Sequence, residues 1–504
     1  MKPSSRFSGN RFRSAVRHFV VGRLAQAIAT VAVTFLAVRL LSPGEYGLYM
    51  VLWGLVELGV PMTSLGFLPA AQRFLPELAE RGSQGSLRRF VYELMAIRIG
   101  LIVLGALAVG CSWPVLSAWM GSPDSRVSVA WLAAVMLAFV LISRFSAEML
   151  ECLLEQRYAQ TSRAVLPFIR AFGFVALWVG GKANLVNLLW IDVVAALIAM
   201  ILGEVWLARS VGALNPLGNH SIPRRDFATF VWHMSGAQVL NAVSSVGTLR
   251  LVVARLLGVE VAGQFSFLQQ LVTIGNRYLP SVLLANMVRP MLIARHANGR
   301  VEDVSRGLGL LWKSNLALAW PAVPMMVIAG DEIINFASGG HVRSAGLAMA
   351  FMVIGLGARG QHQIVGMALQ IFRYTKLIRA ESLLSLLAPV LLFAFVGYGI
   401  EGMAFAICVG LVLRSAISLW LLQRREFTIA LDWVGAARLL LSLLAATGLA
   451  YIVGVRLGPL VGVVILLASY CAFAFVCRPV EAREWGLVKR GIGQRASWLS
   501  RLVR

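Results

Sequence analysis

The sequence predicts an all-α integral membrane protein of about fourteen transmembrane helices, arranged as two pseudo-symmetric six-helix lobes followed by two C-terminal helices. Three observations carry that expectation. Of 504 residues, 59% are hydrophobic and 14% charged, against about 45–50% and about 25% in soluble proteins. Apolar runs of about 18 residues or more recur from end to end, each long enough to cross a hydrocarbon core. Finally, Arg39 to Gly59 recurs without a gap at Arg255 to Gly275, matching at Arg39/Arg255, Leu40/Leu256, Leu41/Leu257, Gly47/Gly263, Leu52/Leu268, Leu55/Leu271, Val56/Val272 and Gly59/Gly275. Leucines align easily by accident. The Arg-Leu-Leu start and the in-register glycines are what mark a repeat.

The first helix is expected over 18–41. Its basic approach (Lys2, Arg6, Arg11, Arg13, Arg17) resembles a signal peptide, but the apolar run continues to Leu41 with no small-residue cleavage site, so it reads as an uncleaved span. Further spans at 46–69, 90–114, 128–149, 162–180 and 184–207 complete an N-terminal lobe, residues 1–207. A cytoplasmic linker at 208–226, closed by Ile222-Pro-Arg-Arg-Asp226, leads to a second lobe at 227–422. Its spans are expected at 228–249, 262–286, 308–329, 345–367, 378–396 and 401–422. Two more, within 437–477, lie outside the repeat at 437–456 and 459–477. The tail, 478–504, mixes Trp485, Leu487, Trp498 and Leu502 with basic residues, a composition suited to lying flat on an anionic leaflet.

The net charge of +23 would suggest nucleic acid in a soluble protein. Here 31 of the 46 lysines and arginines fall in the two termini and in alternate connectors near 70–89, 150–163, 208–226, 287–307, 368–379 and 423–438. The opposite connectors, near 42–45, 115–127, 181–183, 250–261, 330–344, 397–400 and 457–458, hold five. That alternation is the positive-inside pattern and places both termini in the cytoplasm. It excludes nucleic acid as the partner; membrane lipid is the surrounding phase. It also makes the two repeat copies parallel, related by an approximate two-fold axis along the membrane normal. Cys111, Cys152, Cys408, Cys471 and Cys477 show no CxxC spacing and no partner histidines, so free thiols are expected, with neither a disulfide framework nor a metal site.

Seven arginines lie too deep for connectors: Arg23, Arg98, Arg144, Arg170, Arg277, Arg359 and Arg414. Each costs about 2.5–3.5 kcal/mol at a helix centre unless it snorkels or faces a partner or a watery cavity. Arg23, Gln26, Thr30 and Thr34 share one helix face. Gln269, Thr273, Asn276, Arg277 and Pro280 form a second stripe, and Asn241, Ser244, Ser245 and Thr248 a third. Pro280 frees the carbonyl of Asn276, so a kink is expected beside Arg277. Such stripes read as cavity linings, with Arg277 the leading residue, then Arg23 and Arg359 (His362 and Gln363 stand a turn away), then Arg98, Arg144, Arg170 and Arg414, which lack as clear a stripe. Glu57 and Asp192 also lie within spans; each could pair with an arginine or carry a coupling H⁺ or Na⁺. Gly355-Leu-Gly-Ala-Arg-Gly360 matches GxGxxG, but inside a membrane span it reads as close helix packing rather than a dinucleotide loop. No P-loop, HExxH or GxSxG is present, and no catalytic residue, metal or cofactor is expected.

Arg39-Leu-Leu-Ser-Pro-Gly-Glu-Tyr-Gly-Leu-Tyr49, then Leu58-Gly59, Arg73-Phe-Leu-Pro-Glu77 and Leu256-Leu-Gly-Val-Glu260 with Gly263, resemble the pattern of polysaccharide and O-antigen translocases. These are the Wzx-like flippases of the multidrug/oligosaccharidyl-lipid/polysaccharide (MOP) exporter superfamily. The resemblance implies a non-enzymatic flippase of the bacterial inner (cytoplasmic) membrane. It would move undecaprenyl-pyrophosphate-linked oligosaccharide to the periplasmic leaflet by alternating access, for O-antigen, capsule or exopolysaccharide biosynthesis. It implies a coupling cation (H⁺ or Na⁺) or the membrane potential as the drive, and a polysaccharide polymerase and glycosyltransferases as partners. It further implies that Arg23 and Arg277 meet the substrate; the buried charges and polar stripes add Arg359, Arg98, Asn276, Gln269 and Asn241 to the expected lining. The alternatives are a lipid II flippase, a multidrug–cation antiporter of the same superfamily, or a membrane-embedded polymerase. The last would need long periplasmic loops, and the outer connectors are short.

Overall fold

The computed structural model describes residues 9–121, 127–214, 222–283, 299–372 and 374–479, with residues 218, 292, 296 and 481 besides. The described residues are helical throughout and form no strand. They divide into two compact units, Met1–Phe267 and Leu268–Arg504.

In the first unit, α1 (Gly9–Leu40) packs along α6 (Gln156–Val179), and α5 (Val127–Cys152) packs on both α4 (Gln84–Trp119) and α7 (Leu185–Gly212). Helix α2 (Pro43–Ser64) begins with a capping box: Ser42 Oγ accepts from the Glu45 amide, Glu45 reaches back to the Ser42 amide, and Pro43 occupies the first turn. The Ser-Pro-Gly-Glu of the translocase-like motif is therefore a helix start written in capping chemistry. The helix stops at Leu65, in the left-handed region at φ 38°. What the sequence treats as the end of the second span and a connector is then an amphipathic helix, α3 (Phe67–Arg81). Its Phe74 packs against Phe227 and Phe230 of α8 (Arg224–Val243), and Arg73 lies 4.9 Å over the Phe230 ring.

The seventh span is broken. Helix α8 ends at Val243 and α9 (Val246–Leu257) starts on Ser245, whose hydroxyl accepts from the Thr248 amide. The Ser-Ser-Thr run thus caps a new helix. The matched glycines of the repeat then meet each other: a Cβ placed on Gly263 would lie 2.7 Å from the Gly47 Cα. Helix α10 (Val259–Asn276), which carries Gly263, therefore touches α2 backbone to backbone at equivalent positions of the two copies.

In the second unit, Pro280 ends α10 completely instead of kinking it. The chain leaves helical geometry after Asn276, turns through Arg277 to Leu279, and restarts as the short α11 (Pro280–Leu283). Helices α12 (Val301–Ala319), α13 (Ala322–Ser338), α14 (Gly346–Ile371), α15 (Thr375–Leu383), α16 (Leu387–Phe395) and α17 (Gly399–Gln423) follow, then the antiparallel pair α18 (Trp433–Leu457) and α19 (Pro459–Cys477). Gly355 and Gly360 do serve close packing, against Leu411 and Cys408 of α17 in one case and Leu279 and Asn315 in the other. All five cysteines are free, and Cys111 and Cys471 are exposed on apolar helices.

Ten stretches are long and apolar enough to cross a membrane. Ala380–Gln423, with 44 residues, would extend about 66 Å as one helix, twice a hydrocarbon core; Gly399, at φ 61°, divides it into two spans. Three further helices, α1, α10 and α14, complete the fourteen predicted spans. Helices α10 and α14 fall short on apolar length because polar residues interrupt them. Large apolar side chains such as Val179, Phe336 and Val476 stand outward, 80% or so exposed, as lipid-facing surfaces do.

Candidate functional site

The intramembrane charges of the first unit are largely neutralised within it. Asp192 on α7 is fully buried and accepts from Arg170 Nε of α6 (2.7 Å), Tyr49 Oη (2.9 Å) and Trp53 Nε1 (3.0 Å) of α2. Arg170 also donates to Tyr49 and lies 4.2 Å over the Trp53 ring. Every oxygen of the carboxylate is engaged, so this is a knot fastening three helices. Glu57 on α2 pairs with Arg144 on α5 at 2.7 Å, both about one-third exposed. Glu151 holds Arg163 at 2.8 Å. Both acids proposed from sequence as cation carriers therefore sit against arginines.

Arg98 on α4 is 1% exposed. It stacks 4.5 Å over the Phe145 ring, and its Nε and Nη1 have no hydrogen-bond partner. The helix of Arg23 is described, but its side chain lies outside the described residues. Thr30 and Thr34, on the same stripe, return their hydroxyls to the carbonyls four residues earlier, which satisfies them without a cavity. Asn241 is exposed near the end of α8. Arg250, which the sequence assigns to an outer connector, is 2% exposed in α9 with its stem against Gly54.

The second unit gathers polar groups that sequence reading had kept apart. On α10, Gln269 is 8% exposed, and Asn276 is half-buried with its Oδ1 lacking a partner. Arg277 occupies the turn that Pro280 forces. Just beyond it, the Ser281 amide donates to Asn315 Oδ1 on α12 (3.0 Å) and Ser281 Oγ to Gln363 Oε1 on α14 (3.3 Å). Gln361 Nε2 donates to the Trp312 carbonyl at 3.0 Å. Farther around α14, Glu381 of α15 binds His362 Nε2 at 2.6 Å and Arg414 Nη2 of α17 at 2.8 Å through the same oxygen. Arg359, one turn before His362, is half-buried, and among the described residues no hydrogen bond or ion pair holds it; Arg414 lies close enough to act on it electrostatically.

Sequence reasoning missed Asn315, Glu381 and Lys313. Lys313 is 3% exposed on α12 and donates to Asp432 (2.7 Å) and to the Pro479 carbonyl (3.0 Å), fastening α18 and the end of α19 to the unit. A lysine and an asparagine set in an apolar run were the available signal. Among the described residues, no group of three or more His, Cys, Asp or Glu is placed to hold a metal. The chemistry this arrangement supports is electrostatic. One guanidinium and one imidazole share the Glu381 carboxylate in the second unit, and a further guanidinium, that of Arg359, is close enough to Arg414 to act on it electrostatically.

Comparison with known proteins agrees with the architecture. The chain is similar to the inward closed conformation of the lipid II flippase MurJ, with a TM-score of 0.70, 13% identity, and coverage of 91% of this chain and 98% of that one. It is also similar to an inward-facing multidrug resistance MATE family transporter of the MOP superfamily (TM-score 0.60, 13% identity, 79% and 96% covered). A MATE transporter from Vibrio cholerae gives a TM-score of 0.51 at 14% identity, with 83% and 99% covered. No curated protein matches the chain in sequence. A family model described as polysaccharide biosynthesis protein matches residues 14–288. That is more than half of the 504 residues, and the chain belongs to the polysaccharide biosynthesis protein family, built on the fold seen in MurJ and MATE transporters.

Proposed function

We propose that this protein is a flippase that moves an undecaprenyl-pyrophosphate-linked oligosaccharide from the cytoplasmic to the periplasmic leaflet by alternating access. The observation that carries this reading is Arg359, an intramembrane guanidinium of the second unit that among the described residues has no hydrogen bond or ion pair, while Glu381 is already taken by His362 and Arg414. A fixed intramembrane cation left unneutralised is costly, and a pyrophosphate offers the oxygens to offset it. Guanidinium suits the task because it binds phosphate oxygens in a bidentate fork and does not lose its charge. The first unit, whose carboxylates hold arginines, supplies scaffold more than ligand.

Flipping makes and breaks no covalent bond, so the activity is transport rather than catalysis. The glycan crosses in a polar path while the prenyl chain stays in lipid. An anionic head group moving outward is itself driven by an inside-negative potential, by about 2.3 kcal/mol per charge per 100 mV. That drive needs no dedicated carboxylate, in keeping with the pairing of Asp192 and Glu57. The lipid II reading shares the polyprenyl pyrophosphate and differs in the group that it carries.

The test is a double substitution of Arg359 and Arg277 by Ala in cells that make a lipid-linked oligosaccharide. The protein should insert normally, while lipid-linked sugar accumulates on the cytoplasmic leaflet, out of reach of a lectin added to spheroplasts. Export at the wild-type rate in the double mutant would overturn cationic capture. Rescue of lipid II flipping in place of oligosaccharide export would select the other cargo.

A further inference from the structure

We propose that Asn315 is the positioning residue for Arg277: its side-chain carbonyl holds the turn that follows the break in α10 and so aims the guanidinium at the head group. The inference rests on the flippase reading for what Arg277 meets. The ties that hold the turn stand on their own.

Pro280 has no N–H and ends α10, and the chain before it tightens into bonds that reach back three residues. The Arg277 amide donates to the Ile274 carbonyl (3.1 Å), Tyr278 to Gly275 (3.0 Å) and Leu279 to Asn276 (3.3 Å). Ser281 stands in the first turn of α11, where an amide has no carbonyl of its own helix to meet. At 1% exposure it is closed to water as well. Asn315 Oδ1, from α12, takes that amide at 3.0 Å, and Gln363 Oε1, from α14, takes the Ser281 hydroxyl at 3.3 Å. Leu279 is buried against Ala319 and Leu356. The peptide planes between Arg277 and Ser281 are thus fixed at both ends, by α10 on one side and by Asn315 on the other. Together they set the direction in which the Arg277 side chain leaves the backbone.

Packing alone does not call for an asparagine here. Asn315 is fully buried, and its Nδ2 has no hydrogen-bond partner, so the side chain carries an unmet donor alongside its one accepted bond. A leucine of similar shape would fill the space without that cost. The neighbouring helix makes room for the amide: a Cβ on Gly360 of α14 would stand 2.9 Å from Asn315 Nδ2 and 2.7 Å from Leu279 Cδ1. Glycine at 360 therefore lets Asn315 and Leu279 sit side by side against α14. A buried amide kept at such a cost has its use in the backbone that it holds. The one charged side chain between residues 277 and 281 is Arg277.

The experiment measures the affinity of farnesyl pyrophosphate for the purified full-length protein as wild type, N315L, R277A and the double variant. N315L keeps the volume and removes the acceptor. It should weaken binding roughly tenfold, the scale of one charge-assisted hydrogen bond. R277A should weaken it at least as much. In the double variant the loss should be that of R277A alone, because a residue that acts through Arg277 then has nothing left to position. A general loss of stability would instead add to the effect of R277A. G360A, which presses on the Asn315 amide and on Leu279 while leaving every acceptor in place, carries the same comparison if N315L does not purify. Additive losses, or wild-type affinity in N315L, overturn the positioning role and leave the flippase reading standing. Wild-type affinity in R277A overturns the positioning role too, and leaves Arg359 as the capturing residue. Failure of the wild type to bind the probe overturns head-group capture and the positioning role together.

Discussion

Replacing Asp192 with Ala is expected to destabilise the first unit by about 3–5 kcal/mol, the cost of leaving one partner of a buried ion pair uncompensated. Asp192 is fully buried, and three donors converge on it: Arg170, Tyr49 and Trp53. Its removal strands a guanidinium, a hydroxyl and an indole N–H at the junction of α2, α6 and α7. Arg170→Ala should be damaging as well, since it strands the carboxylate. The double variant should cost less than the two single changes added together, because each removes the other's uncompensated charge. Thermal melting of the four proteins in one detergent measures this. Strictly additive losses would show that the two residues do not act as a pair. The alternative use of Asp192, as the carrier of a coupling cation, predicts a different pattern: D192N, close in shape, should then melt normally and lose transport alone.

Much of the architecture can be read from the chain because the bilayer imposes it. Span length, connector charge and the Arg39–Gly59 repeat are one-dimensional signals of a three-dimensional constraint, and the helices follow them. The Ser42–Glu45 motif is legible for a local reason, since a capping box is completed within four residues. Pairing is not legible in this way. Asp192 meets Arg170 because α6 and α7 form a hairpin, and it meets Tyr49 because α2 lies against both; no spacing in the sequence distinguishes Arg170 from Arg144 as its partner. Glu381 opens a span, where a carboxylate reads as interfacial. Its contact with His362 exists because α15 folds back on α14 and α17. The polar stripes show the limit from the other side. Thr30, Thr34 and Thr273 look like cavity lining by periodicity, yet each hydroxyl bonds a carbonyl of its own helix. A stripe becomes informative where a member has no such outlet, as at Arg359.

Gly47→Val is expected to force apart the seam between α2 and the start of α10, and with it to shift the protein out of the conformation described. A Cβ on Gly47 would stand 2.1 Å from the Val259 carbonyl oxygen, and one on Gly247 2.1 Å from that of Gly54. Both obstacles are backbone, so no rotamer change relieves them, and overpacking of this kind costs about 1–3 kcal/mol. The two connectors that lead into this seam, near 42–45 and 250–261, belong to the set poorer in Lys and Arg, so in the proposed flippase topology it faces outward. Under alternating access a closed outer seam is one state of a pair. A penalty of about 1–3 kcal/mol borne by that state alone moves the balance roughly 5–150-fold toward the other. A cysteine at Val259, 7% exposed in the closed seam, reports the change in a background from which the five free native cysteines have been removed. Its labelling by a membrane-impermeant maleimide should be slow with Gly47 present and fast in Gly47→Val, while Gly44→Val, which meets nothing within 4 Å, should leave it slow. Equal labelling in all three would mean that the glycine contact is not a moving seam. The repeat would then have placed two glycines together for packing alone.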